Sequence, residues 1–204
     1  VVAIAGQGST HRLHKESHQI LDLVNMFEPI SKYATQLREP EIVPEVVRKA
    51  FKVAKAEKPG LSFIDFPENI AEASVEGKRP LKVQDALPPI APEEKIAQAT
   101  EVIANARCPL IMAGNGVIRA GASDALQQFV HRTGIPVTMT FMAKGAVPRT
   151  NPLSLGATGL AAHDYVGCGF DRADVVICVG YDIVEYHPHL WHRDLDQKIV
   201  HIDA

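Results

Sequence analysis

A chain of 204 residues with 46% apolar side chains can bury one large α/β core or two smaller ones, which excludes a disordered polymer. Its 21 basic and 24 acidic side chains leave a formal charge of -3, so it offers no electrostatic footprint for nucleic acid or an anionic membrane. No apolar run approaches the roughly 20 residues that span a bilayer. The three cysteines, Cys108, Cys168 and Cys178, form no CxxC pair and read as buried thiols of a cytoplasmic protein, neither a disulfide framework nor a zinc site.

In chain order, Val1 to Gly6 is an apolar run ending in glycine, the pattern of a central parallel strand. It opens the chain without methionine, and Lys198 to Ala204 closes it on another strand pattern, so the chain is expected to be a fragment of a larger enzyme. Between Glu16 and Phe27, the residues Ile20, Leu21, Leu23, Val24 and Phe27 make a roughly helical stripe that Pro29 stops, and Ile30 to Leu37 reads as a short strand. From Pro40 onward, Ile42, Val43, Val46, Val47, Ala50, Phe51 and Ala54 recur at spacings of three and four, the clearest helix in the sequence. Lys58-Pro59-Gly60 then turns into a strand over Leu61 to Phe66, ended by Pro67.

Between Ala73 and Pro92 the periodicity lapses, and Gly77, Pro80, Pro88, Pro89 and Pro92 suggest an extended linker. The expected division is residues 1–72, a linker over 73–92, and a second unit over 93–204. The second unit reads as helix Glu93 to Asn105, strand Pro109 to Ala113, helix Ser123 to Thr133 and strand Ile135 to Thr140, then helix, strand and strand. Repeated βα units predict an α/β protein with two parallel-sheet, Rossmann-like units.

Motifs with chemistry are few. The strand ending at Ala113 runs into Gly114-Asn115-Gly116, a turn whose backbone donors could approach a phosphate, or whose glycines serve only the turn's geometry. Leu155 to Gly159, and Gly180 after the strand Asp174 to Val179, fall near further strand C-termini, so a nucleotide cleft is conceivable. His187, His189 and His192 lie within six residues, but no carboxylate pattern completes a metal site there. His11, His14 and His18 could share a helical face or be solvated. There is no GxSxG elbow, HExxH pair or Walker loop.

The order of segments is more telling. Ala3-Ile4-Ala5-Gly6-Gln7-Gly8-Ser9-Thr10, then His14 to Gln19, then Met26 to Lys32, then Glu57-Lys58-Pro59-Gly60 before a strand and Pro67, closely resembles the pyrimidine-binding domain of thiamine diphosphate enzymes of the acetolactate synthase family. Arg107 to Gly116 and Asp174 to Tyr186 look like that family's central domain. The resemblance implies part of the pyrimidine-binding domain followed by most of a nucleotide-binding-type central domain. It implies a parent enzyme that decarboxylates pyruvate and joins the fragment to a second 2-oxo acid, giving 2-acetolactate. Thiamine diphosphate and Mg2+ would be its cofactors, and a homodimer or homotetramer its assembly.

Carried over by resemblance, Gln19 would stand at the start of the helix facing the reacting end of the cofactor, and Gln7 would be a second contact. Apart from these carried-over positions, Gly114, Asn115, Gly116, Gly180 and Asp182, at the strand-end edge of the second unit, are the further candidate cofactor-binding residues. The glutamate that tautomerises the aminopyrimidine and the Gly-Asp-Gly metal motif would lie outside these residues. Two departures, Glu68-Asn69 after Pro67 and the run Tyr181-Asp182-Ile183-Val184-Glu185-Tyr186, are similar to the FAD-independent, catabolic-type branch and imply that FAD is not used. Two other readings stand beside this one: a related thiamine diphosphate decarboxylase or acetyltransferase, and a non-catalytic nucleotide-binding module.

Overall fold

The computed structural model describes all residues except 16, 85, 86, 88, 160–164, 193–195 and 204. The chain divides into two compact units, Val1–Leu87 and Pro88–Ala204, each with its own parallel sheet.

In the first unit, β1 (Val2–Gln7), β2 (Tyr33–Gln36) and β3 (Ser62–Pro67) pair in the order β1-β3-β2. The helices are α1 (Leu23–Phe27), α2 (Val43–Lys55) and α3 (Glu68–Glu72). The 3.6-residue stripe of α2 places Val46, Ala50 and Ala54 in the interior, and Lys52 and Lys55 in its last turn suit the negative end of the helix dipole. Val46 and Ala50 share a core with Leu37, Ile64 and Ile70. On the opposite face, the Phe27 ring lies flat on Phe63 with centroids 4.0 Å apart. β3 is the middle strand, so Ala5 of β1 and Gln36 of β2 flank Asp65.

The expected helix from Glu16 to Phe27 is far shorter in the structure. Only Leu23–Phe27 is α-helical, begun by the Asp22 side chain, which accepts from the Asn25 N–H. Ahead of that cap, Gln19 takes a left-handed conformation (φ 63°), which ends any helix reaching back from Leu23. His11 falls in a 3-10 turn (Thr10–Arg12) and His14 in a turn, so no shared helical face forms. Glu16, from which the helix was expected to start, lies outside the described residues.

The second unit is a five-stranded sheet of β4 (Pro109–Ala113), β5 (Val137–Met139), β6 (Ser154–Ala157), β7 (Val175–Val179) and β8 (Lys198–Ile202), ordered β6-β5-β4-β7-β8 and parallel throughout. Its helices are α4 (Glu93–Ala104), α5 (Asn115–Arg119), α6 (Ser123–Thr133) and α7 (Gly167–Arg172). The sequence reading placed β4 and α6 at these bounds but read Leu155 to Gly159 only as a turn. The structure makes the first part of it a strand, and Gly156 hides it from a periodicity reading: its φ is +97°, beside a register shift against β5. The chain winds outward from β4 to β6, then returns to β7 on the other side of β4. The strand order therefore reverses between β4 and β7, the crevice where sheets of this kind bind ligands.

The cysteine expectation is corrected. Cys108 and Cys168 are exposed, because one stands just ahead of β4 and the other lies on the outer part of α7. Only Cys178, near the C-terminal end of β7, is buried, and burial pushes its thiol up to about 12.

Candidate functional site

Each unit gathers polar side chains at the C-terminal ends of its parallel strands, and the two gatherings differ. In the first unit, Gln7 ends β1 and is buried. Its amide N–H groups donate to the Leu21 carbonyl and to Asp65 Oδ2 (3.4 Å), while its oxygen accepts from the N–H of Gly8 (3.1 Å) and Leu21 (3.5 Å). Gln7 is thus engaged on both sides within the chain and ties the loop of residues 8–21 to the sheet. The Gly8 N–H also donates to the Gln19 carbonyl (3.3 Å). The loop's outer end is held by Arg12 on Glu68 (2.6 Å) and by reciprocal hydrogen bonds between Thr10 and Asn69 (2.9 Å each). Glu68 and Asn69, singled out above as a departure, therefore anchor this loop.

Gln19 rides on that loop, exposed, four residues before α1 rather than at its start. Its left-handed backbone turns the chain between the segment that Gln7 holds and the helix that Asp22 caps.

Sequence reasoning missed Asp65. It lies on β3 with 1% of its surface exposed, and its Oδ2 accepts from the Gln36 amide (2.7 Å) and the Gln7 amide. Its Oδ1 is buried without a hydrogen-bond partner among the described residues. Burial raises the carboxyl pKa above its usual value; the hydrogen bonds from Gln36 and Gln7 oppose this, and Asp22 adds to it. The signal was present in the sequence: a single acid inside the apolar run Leu61 to Phe66 needs an unusual environment.

In the second unit, the glycines explain one another. A Cβ on Gly114 would lie 2.3 Å from the Gly180 carbonyl oxygen, and one on Gly116 would lie 2.6 Å from Gly180 Cα. Gly180 itself has φ +58°, with the backbone N of Val117 2.5 Å from where its Cβ would be. The Gly114 and Gly116 N–H groups donate to the carbonyls of Val179 and Gly180 (2.8 Å each). The turn therefore has glycines because two backbones pack against each other, and its donors face the protein's own carbonyls. The remaining donor, the Asn115 N–H, is met by the Glu185 carboxylate at 3.0 and 3.1 Å. Glu185 also accepts from the Asp182 N–H (3.2 Å) and from the Thr140 hydroxyl, in a very short contact.

Glu185 is held there by its neighbours. Tyr181 and Tyr186 are buried with Phe170 and Trp191; the Tyr181 hydroxyl and the Trp191 indole both donate to the Tyr186 carbonyl. These aromatic anchors fold the loop back over the crevice between β4 and β7. Asp182 contributes its N–H to Glu185, and its carboxylate accepts from the Val184 N–H (3.4 Å). Neither Glu185 nor Thr140 was a sequence candidate.

The histidines of the cluster pair with their neighbours. The Nδ1 atoms of His187 and His189 face each other at 2.6 Å, and His192 pairs with Gln197. No group of three His, Cys, Asp or Glu side chains suited to a metal occurs among the described residues.

Comparison with known proteins places this geometry. Residues 96–204 match the family model of the thiamine pyrophosphate enzyme central domain. Over its whole length the chain is 35% identical to glyoxylate carboligase of Escherichia coli O157:H7, covering 35% of that protein. It is likewise 32% identical to a probable acetolactate synthase large subunit of Methanocaldococcus jannaschii and 31% identical to acetolactate synthase of Bacillus subtilis, covering 36% of each. It thus spans about a third of the length of the curated relatives it matches. A solved structure described as a thiamin diphosphate-dependent enzyme, from Mycobacterium smegmatis, shares the fold: the TM-score is 0.81 at 24% identity, over 98% of this chain and 39% of the other.

Proposed function

Since the chain belongs to the thiamine pyrophosphate enzyme family, with the central-domain model matching more than half of it, we propose that it is part of a carboligase of the acetolactate synthase type. The enzyme takes pyruvate, removes CO2 and joins the remaining two-carbon unit to a second 2-oxo acid, giving 2-acetolactate. What carries this reading is that whole-chain similarity to acetolactate synthases extends through both units, from the loop bearing Gln19 to the loop bearing Glu185.

The described residues do not make the cofactor's site by themselves. They hold no acidic or imidazole cluster for Mg2+, and the glycine turn's donors are engaged within the chain, so no cradle for the diphosphate forms. Thiamine diphosphate and Mg2+ are therefore assigned to the enzyme as a whole, with the glutamate and metal motif of the family outside these residues. Residues 1–72 are assigned to the pyrimidine-binding domain, 73–92 to a linker and 93–204 to the central domain, in a cytoplasmic homodimer or homotetramer.

This chain's own contribution is a positioned amide. The Gln7 clamp, with Glu68 and Asn69, sets the loop, and the exposed Gln19 side chain extends from it. An amide N–H there donates to a carboxylate or carbonyl oxygen of the 2-oxo acid as negative charge develops. In the second unit, Gly114, Asn115, Gly116, Gly180 and Asp182 lie at an edge where the N–H groups of Gly114, Asn115, Gly116 and Asp182 are engaged within the chain. The Glu185 carboxylate already takes the Asn115 N–H of the turn, which supports the reading, drawn from loop resemblance, that FAD is not used.

The test is to assay the full-length enzyme with pyruvate, thiamine diphosphate and Mg2+. Thiamine-dependent formation of 2-acetolactate is expected, and Gln19→Ala should lower kcat by about 10- to 100-fold with a smaller change in KM. A second reading, carboligation of glyoxylate, is favoured by the 35% identity to glyoxylate carboligase. It replaces the first if glyoxylate is consumed with the higher kcat/KM.

A further inference from the structure

We propose that Asp65 is a positioning residue for Gln19: its carboxylate orients the Gln7 amide, and that amide holds the loop on which Gln19 is presented. The inference rests on the reading that Gln19 donates to the 2-oxo acid, and it adds what keeps Gln19 in place.

Asp65 lies on the middle strand β3, with Ala5 of β1 and Gln36 of β2 as its register partners. Side chains two residues apart on a strand share a face, so Gln7, two beyond Ala5, stands on the side of the sheet where Asp65 meets Gln36. Asp65 Oδ2 accepts from the Gln36 amide (2.7 Å) and from the Gln7 amide (3.4 Å). An acceptor at that point decides which way round the Gln7 amide stands. Its NH2 faces Asp65 and the Leu21 carbonyl, so its oxygen is left for the N–H groups of Gly8 and Leu21. Reversed, it would set NH2 against those two N–H groups and its oxygen against two other oxygens.

The Gln7 side chain thus bonds both the N–H and the C=O of Leu21, as a neighbouring strand would, two residues after Gln19. The Gly8 N–H, which Gln7 also meets, holds the Gln19 carbonyl (3.3 Å). Among the described residues Gln19 is the one non-glycine with a left-handed backbone (φ 63°), a conformation that such a residue keeps only where its surroundings impose it. The restraints on both sides of Gln19 meet at Gln7, and Asp65 sets Gln7. Without that acceptor the loop relaxes and the Gln19 amide leaves its place.

The test compares variants of the full-length enzyme by carboligation kinetics with pyruvate and by amide hydrogen exchange of residues 8–21, read by mass spectrometry. In Asp65→Ala, kcat should fall about tenfold with a change in KM under about twofold, and the segment should exchange about tenfold faster. Asp65→Asn keeps an oxygen for both glutamine amides and should restore kcat and protection to within about threefold of the unaltered enzyme. Because Asp65 acts on turnover through Gln19, the double variant Asp65→Ala, Gln19→Ala should be no slower than Gln19→Ala. Gln7→Leu leaves Asp65 bonded to Gln36, should repeat both effects of Asp65→Ala, and carries the test if that variant does not fold. The proposal is overturned if kcat and exchange stay unchanged in Asp65→Ala or Gln7→Leu, if Asp65→Asn loses as much as Asp65→Ala, or if the losses of Asp65→Ala and Gln19→Ala multiply. An unaltered enzyme that forms no 2-acetolactate, or Gln19→Ala at full kcat, contradicts the carboligase reading instead, and the hold of Asp65 on the loop then stands or falls on the exchange comparison alone.

Discussion

Two carboxylates stand at the ends of two parallel sheets in this chain, and they are treated oppositely. Glu185 meets donors from Asn115, Asp182 and Thr140 beside the crevice between β4 and β7. Asp65 meets two amides through one oxygen and leaves the other buried without a hydrogen-bond partner among the described residues. The fold supplies a parallel-strand edge twice, and side chains decide at which copy the carboxylate is fully partnered.

The glycines follow the same division, and the sharpest way to break the comparison is to add a methyl group to each. Gly114→Ala forces its Cβ against the Gly180 backbone, which cannot swing aside as a side chain can, and it should destabilise the second unit by about 3 kcal/mol. Gly6→Ala, with nothing within 4 Å of the added atom, should change the stability of the first unit by less than about 0.5 kcal/mol. Urea unfolding of the two variants reads the contrast, and equal losses would mean that the second crevice is not closed by backbone contact.

The next effect in size concerns Glu185 itself. Replacing it with alanine strands the Asn115 and Asp182 N–H groups and the Thr140 hydroxyl, for an expected loss of about 2 kcal/mol. Glu185→Gln retains acceptor capacity and should lose about half as much. An alanine variant as stable as the unaltered protein would show that water serves those donors equally well.

Much of the fold was legible because periodicity survives where elements are long and flanked by breakers. α2, α6 and β4 are such cases. The helix expected over Glu16 to Phe27 failed because the apolar stripe gives no sign that Gln19 adopts a left-handed backbone or that Asp22 caps a later start. β6 was hidden by Gly156. The glycine turn was visible, but its meaning depended on a partner loop 66 residues away, Gly114 against Gly180, which no local pattern records. Gln19 and Gln7 came from resemblance, and the structure adds the clamp that links them. Asp65 and Glu185 derive their significance from which donors reach them, a property of the folded chain.

A smaller effect separates the units by pH. Asp65 has a raised pKa, so between its ordinary value of 3.8 and its folded value the native state holds the extra proton. Its contribution to stability is therefore lost as pH rises through that window. Asp174 is the opposite case: the N–H groups of Arg107 and Cys108 hold its carboxyl below the usual range. Its contribution is present above 3.8 and is lost as pH falls through the lowered value. Unfolding midpoints measured against pH should show Asp65→Asn flattening the loss with rising pH and Asp174→Asn flattening the acid-side loss. The same slope in both variants would contradict the assignment.

The contrast between the two edges is tested most directly by titrating the full-length protein with FAD and following flavin absorbance after exhaustive dialysis. With Glu185 and the Gly114–Gly180 contact in place, no stoichiometric flavin should remain bound. A yellow protein carrying one FAD per chain would contradict the account.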